Sequence, residues 1–161
     1  MKETEVRKYI ESAEKSPGEI ARAVAGLHEK GLRYKPNSEE WCILEILGHL
    51  ADMEIVYAYR IRQMIADENP IIAPVDQNAW ARNLDYLRTP APELVAAYGL
   101  NRHRTVELLR KLQPQQFENG AMHPELNRKV TVAEMLEKMA GHGASHLRQI
   151  ERLKKEAKNL S

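Results

Sequence analysis

Apolar residues recur every three or four positions along four long stretches of this chain, and no stretch alternates apolar and polar residues for long enough between turn signals to mark a half-buried strand. The pattern predicts an all-α fold. Over 4–28 the apolar positions Val6, Ile10, Ala13, Ile20, Val24 and Leu27 mark a first helix, with Pro17 expected to divide it into two pieces. Asn37 and Ser38 followed by Glu39 and Glu40 read as a cap and acidic first turn for a second helix over 39–67. Asn69-Pro70 and Pro74 mark a loop at 68–75 that borders a cleft, and a short helix is expected over 76–83. Thr89-Pro90-Ala91-Pro92-Glu93 opens a third long helix ending near Leu112. The stretch 114–129, with Gly120 and Pro124, has little periodicity. Thr131-Val132-Ala133-Glu134 is a capping box for a last helix running to about 155, with a polar tail over 154–161 expected to fray. Four long helices with a long connection between the second and third predict a four-helix bundle.

The last helix carries the informative stripe: Met135, Met139, His142, His146, Ile150 and Leu153 share one face, so two core positions are histidines. Separation by four residues stacks the two imidazoles one turn apart, as two nitrogens need to be to share a metal ion. On the second helix His49 shares a face with Cys42, Ile46, Met53 and Val56 and is expected to point inward as well. Three neutral imidazoles from two neighbouring helices would leave coordination positions open for water or substrate. The same spacing also suits core histidines that are merely hydrogen-bonded, and spacing alone does not separate the two readings.

Glu45 and Asp52 lie four residues before and three after His49, on its face of the helix. Each is placed to orient a ligand or act as a general base, or to serve as a solvated carboxylate at the bundle's edge. His123 could reach the cleft or only shape the turn before Pro124, while His28 and His103 read as surface residues. Trp41 and Trp80 line either a pocket or the core. Arg102, Arg104 and Arg148 read as anion contacts or as partners in salt bridges on helix surfaces.

Composition narrows the function. The 161 residues suit one domain over 1–161, and 24 Lys and Arg against 23 Asp and Glu, interspersed, give no field for nucleic acid. The single cysteine, Cys42, excludes an internal disulfide and a cysteine-based zinc finger, which fits a cytoplasmic location. No apolar run approaches the ~18 residues that would span a bilayer, so no membrane partner is expected.

Trp41-Cys42-Ile43-Leu44-Glu45-Ile46-Leu47-Gly48-His49-Leu50-Ala51-Asp52 resembles the W-S-x-x-E-x-x-x-H-x-x-D segment of DinB-like (DinB/YfiT) proteins. His142-Gly143-Ala144-Ser145-His146-Leu147-Arg148-Gln149-Ile150 resembles that family's closing H-x-x-x-H-x-x-Q-I signature, and Met122-His123-Pro124 with Lys129-Val130-Thr131 resembles its approach to the last helix. The likeness covers about 5–153. It implies a four-helix bundle, often dimeric, whose His49, His142 and His146 hold a divalent ion: zinc or nickel foremost, with manganese, iron and cobalt as the other candidates. It also implies a small-molecule substrate, in some members a low-molecular-weight thiol, and chemistry of thiol transfer or hydrolysis. A non-enzymatic metal-binding or stress-response module is the alternative. In two places the chain departs from the family pattern: Gly143 stands where the family often carries Asp, and Asn127 where it often carries Gly.

Overall fold

The structure, a computed structural model, describes residues 1–158. Six helices run in the order α1 (Glu3–Val24), α2 (Glu29–Leu32), α3 (Ile43–Ala66), α4 (Gln77–Asn83), α5 (Ala91–Leu109) and α6 (Val132–Lys158). A hairpin of β1 (Gly120–His123) and β2 (Arg128–Thr131) precedes α6. The long helices are α1, α3, α5 and α6, and they form the predicted four-helix bundle. In it α1 packs on α5 and α6, and α3 also packs on α5 and α6, so the first two long helices face each other across the bundle rather than lying side by side. The connection from α3 to α5 is long and carries α4, capped by Asp76, whose Oδ1 accepts from the Asn78 and Ala79 amides.

Several sequence expectations need correction, among them the end of the first helix, which stops at Val24 rather than 28. Helix α1 does not divide at Pro17. Proline has no N–H for the carbonyl of Ala13, and that oxygen accepts instead from Ser16 Oγ at 3.1 Å and Arg102 Nη1 at 3.4 Å. Helix α3 begins at Ile43 rather than Glu39: Asn37 Oδ1 closes a separate turn by accepting from the Glu39 and Glu40 amides, and the helix opens only after Trp41. The stretch 114–129 is not wholly irregular, since β1 and β2 pair antiparallel from Gly120↔Thr131 to His123↔Arg128. Four-residue strands with one buried position each, Ala121 and Val130, are too short to display alternation. Asn127 takes φ 48° in the turn between them, a left-handed angle that Asn tolerates where the family pattern has Gly.

The capping box before α6 is formed as read. The Thr131 amide donates to Glu134 Oε2 at 2.8 Å and the Glu134 amide donates to Thr131 Oγ1 at 3.2 Å. Helix α6 then continues through 154–158, beyond the expected end; the rest of the expected fraying tail, 159–161, lies outside the described residues.

The core divides into two clusters stacked along the bundle. One gathers Met53, Val56, Tyr57 and Ile61 of α3 with Met135, Leu136 and Met139 of α6. The other gathers Ile46, Leu47 and Leu50 of α3 with Ile150 and Leu153 of α6. Burying each such side chain stabilises the fold by about 1.5–3 kcal/mol before entropy is subtracted. The seam between the clusters is where His49, His142 and His146 fall.

Arg102, read from sequence as an anion contact or a salt-bridge partner on a helix surface, is fully buried at the centre of the bundle. From α5 its Nε donates to Glu54 Oε2 on α3 at 2.8 Å, its Nη1 to Ser16 Oγ on α1 at 3.1 Å, and its Nη2 to the Met139 carbonyl on α6 at 3.2 Å. One side chain thus ties all four long helices together.

Candidate metal centre

Helix α3 presents His49, 2% exposed, and α6 presents His142 and His146, both partly exposed. The expected inward stripe of α6 is therefore buried at Met135, Met139, Ile150 and Leu153 and open to solvent at its two histidines. The three rings meet through their Nε2 atoms: His49 to His142 at 2.9 Å, and His146 to His142 at 3.2 Å. One ligand atom from each of the three lies within 4.8 Å of the others. Metal–nitrogen bonds of about 2.0–2.1 Å in tetrahedral geometry place ligand nitrogens roughly 3.3 Å apart, so this donor set fits a divalent ion with little adjustment.

Electrostatics favour the same use. Burial, with the His146 ring nearby, lowers the pKa of His49 to about 4. Burial lowers that of His142 to about 2, helped by His146, His49, Arg102 and Lys138. Burial also lowers His146, against a smaller opposing effect of its hydrogen bond to Gln149. All three imidazoles are neutral near pH 7 and keep the lone pairs that a cation needs. His146 Nδ1 lies 3.0 Å from Gln149 Oε1; with its proton on Nδ1 the ring donates there and turns an unprotonated Nε2 toward the centre.

Aromatic residues wall the cluster. Trp41 lies 4.8 Å from the His49 ring and stacks on His146 at 6.5 Å, and Tyr57 meets His142 edge-on at 5.6 Å. The ring of Tyr86 covers Gly48, where a Cβ would come within 2.2 Å of Tyr86 Cγ. That close approach lets Tyr86 Oη donate to Asp52 Oδ2 at 2.7 Å. Burial, and then Asp52 itself, push the Tyr86 phenol well above its ordinary pKa, so it stays a donor.

Asp52 is accordingly partly buried and paired with Tyr86. Glu45 stands at the start of α3, where its Oε2 accepts from the Cys42 amide at 2.8 Å and its Oε1 from Lys35 Nζ at 2.8 Å. Trp80 packs against the core, His28 and His103 are exposed, and His123 lies on β1. Sequence reasoning gave no role to Gln149, Tyr57, Tyr86 or Gly48; the glycine immediately before a candidate ligand was the available sign that something packs closely there.

Gly143 has a steric reason. A Cβ at this position would lie 2.8 Å from Tyr98 Oη and 3.0 Å from Ser16 Oγ, because α6 comes close to α1 here. The aspartate common in the family pattern has no room beside His142, and among the described residues the orienting contact to the cluster comes from Gln149.

The sequence profile of the DinB superfamily matches residues 13–150. The chain belongs to the DinB superfamily. Two relatives of this DinB chain are each 29% identical to it: one from Oceanobacillus iheyensis, named "Putative metal-dependent hydrolase", over 90% of this chain and 83% of its own, and one from Bacillus subtilis, "Putative metal-dependent hydrolase YfiT", over 91% and 82%. The solved structure of B. subtilis YfiT, described as a probable metal-dependent hydrolase with an unusual four-helix bundle topology, superimposes with a TM-score of 0.91 at 25% identity, covering 97% of this chain and 89% of that one. The mycothiol-dependent maleylpyruvate isomerase shares the fold alone, with a TM-score of 0.71 at 12% identity over 90% of this chain and 60% of that one. The long-connection bundle is thus the fold of this DinB protein. No helix among its described residues is long and apolar enough to cross a membrane.

Proposed function

We propose that this DinB protein is a metal-dependent enzyme acting on a small molecule by hydrolysis or thiol transfer, with His49, His142 and His146 as ligands to zinc or nickel. The observation that carries this reading is the convergence of three imidazoles on one point through their Nε2 atoms, 2.9 and 3.2 Å apart, with burial keeping the rings neutral. A bound divalent ion supplies Lewis acidity, lowering the pKa of a water or thiol and polarising a substrate carbonyl. The remaining work falls to the chain. Gln149 fixes the His146 tautomer, and Trp41 and Tyr57 hold the rings in place and exclude water from one side. Asp52, with one oxygen engaged by Tyr86, has its other oxygen to orient a nucleophile or accept its proton. The two hydrogen bonds of Glu45 support a capping role for it in preference to a catalytic one. The naming of the relatives as metal-dependent hydrolases supports hydrolysis, and the fold shared with a thiol-dependent isomerase supports keeping a low-molecular-weight thiol among the substrates tested. The same reading places the protein in the cytoplasm as a homodimer. Ile55 and Tyr59, 54% and 59% exposed and one turn apart on α3, offer an apolar strip for the second copy.

Elemental analysis of natively purified protein tests the reading. Close to one ion per chain is expected, and none in His146→Ala. His49→Ala should keep its helical circular dichroism while losing turnover on a panel of esters, amides and thiol-transfer substrates, since the two core clusters hold the bundle without metal. Full occupancy in His146→Ala would defeat the ligand assignment. Wild-type protein that binds metal yet turns over nothing on the panel would favour a binding module.

A further inference from the structure

A second cluster of polar groups lies where α3, the hairpin and α6 meet. It surrounds a cavity of about 270 Å³ lined by Arg60, His123, Arg128 and Lys138, with Glu134 and Glu137 on the same wall. Both of these acids already have partners. Glu134 caps α6 and pairs with Arg128 at 2.8 Å, and Glu137 accepts from Tyr9 Oη at 2.7 Å. Arg128 is taken by Glu134, but Arg60 and Lys138 are less occupied. Arg60 is only 7% exposed, yet among the described residues its one hydrogen bond is from Nη2 to the Ala73 carbonyl at 2.6 Å, and no carboxylate reaches ion-pair distance. Burial pushes the Arg60 pKa down, and Tyr57 and then exposed Glu125, acting only through space, oppose that push without cancelling it. His123 Nδ1 is buried and has no hydrogen-bond partner among the described residues. Lys138 has no ion-pair partner among the described residues.

A buried guanidinium without a counter-charge and a buried imidazole nitrogen without a partner are both unfavourable unless something completes them. Their convergence with Lys138 on one cavity too small for a large ligand says what that is. We propose that this cavity is a binding site for a small oxyanion, a phosphate or carboxylate group, held by Arg60, His123 and Lys138. Arg60 offers the N–H groups not used by Ala73, His123 offers an imidazole in the cavity wall, and Lys138 adds a mobile charge at the rim. The site needs no ion at the histidine cluster, so it stands or falls independently of the metal reading.

Isothermal titration of the full-length, metal-loaded protein with sodium phosphate, and separately with sodium succinate, is the test. Saturable binding at one site per chain is expected, weakened at least about tenfold by Arg60→Gln and at least about threefold by His123→Ala or Lys138→Gln. Because Arg60 is buried, the two milder variants at partly exposed and exposed positions keep the test valid if Arg60→Gln folds poorly. The His146→Ala protein should bind the anion as the wild type does. Phosphate without succinate assigns a phosphate site, succinate without phosphate a carboxylate site, and both leave the oxyanion class itself supported. No binding of either up to about 10 mM, equal affinity in all three pocket variants, or loss in His146→Ala with retention in Arg60→Gln would overturn the proposal.

Discussion

Two groups of polar residues interrupt the apolar core of this bundle, about a turn and a half apart along α3, and they are handled in opposite ways. Glu54 and Arg102 are charged, 1% and 0% exposed, and almost wholly answered by the protein: the guanidinium reaches a carboxylate, a hydroxyl and two carbonyls on three helices. His49, His142 and His146 are neutral, open toward solvent on the α6 side, and answered at their inner nitrogens only by one another. A polar group whose needs the fold supplies is part of the fold. A group of imidazoles brought together at the seam of two core clusters, and held there by Gln149 and aromatic walls, is what the proposed metal site would use.

The comparison breaks most visibly at Arg102. Arg102→Met would strand Glu54, whose Oε1 already lacks a partner among the described residues, and leave the Ala13 carbonyl beside Pro17 with Ser16 Oγ alone. A loss of about 3–5 kcal/mol in urea unfolding is expected. Pairing it with Glu54→Leu should recover only part of the loss, since the Ala13 and Met139 carbonyls and Ser16 Oγ each still lose a hydrogen bond. Full recovery in the double variant would mean that the arginine serves the ion pair alone.

Acid should reach the histidine side first. In the unfolded chain these imidazoles take up protons near pH 6.5, whereas in the fold His49 does so only near pH 4 and His142 near 2. Below pH 6.5 the unfolded chain therefore binds more protons than the native one, so stability is fully present above that pH and falls as pH drops toward 4. The slope is up to about 1.4 kcal/mol per pH unit for each group, summed over those that titrate. Urea midpoints of metal-free protein from pH 7.5 to 4 measure this, and His49→Ala should flatten the decline. An unchanged slope in that variant would put the acid sensitivity elsewhere.

How much of this contrast could be read from sequence depends on whether the signal is periodic. The histidines were legible because His142 and His146 occupy slots in a stripe of Met135, Met139, Ile150 and Leu153, and the Thr131–Glu134 box because capping has a fixed offset. Arg102 was equally periodic, following Leu94 and Tyr98 at four-residue steps and preceding Val106 and Leu109, as Glu54 falls between Leu50 and Tyr57. It was misread because a charge on a helix is assigned to solvent unless its partner is known, and that partner lies 48 residues away. The hairpin, the true start of α3 and the reach of Tyr86 over Gly48 depend on tertiary contacts with no period of their own.

Gly143 connects the two regions, since it lies next to His142 yet packs against Ser16, which also receives Arg102. Restoring the acid common in the family pattern, Gly143→Asp, forces Tyr98 and Ser16 aside and should lose about 1–3 kcal/mol of thermal stability. Ser16→Gly in the same chain should return part of it by clearing Oγ and Cβ. Were Gly143→Asp neutral and tighter-binding for metal, the steric reading of this glycine would be wrong.

The smallest expected effect concerns the hydrogen bond that turns His146. Gln149→Leu preserves the size of the side chain and the helix but removes the acceptor 3.0 Å from Nδ1, so the imidazole is free to place its proton on either nitrogen and to rotate. Orienting partners of this kind are worth roughly 10–100-fold in metal affinity, so zinc binding in a competition with a chromogenic chelator should weaken within that range while the unfolding midpoint barely moves. The two readouts must separate, because Gln149 sits at the edge of the site, partly exposed, with no core role of its own. If affinity stayed at the wild-type value, the ring would be held by Trp41 and the packing of α6 alone; if stability fell together with affinity, Gln149 would belong to the fold, as Arg102 does, and not to the site.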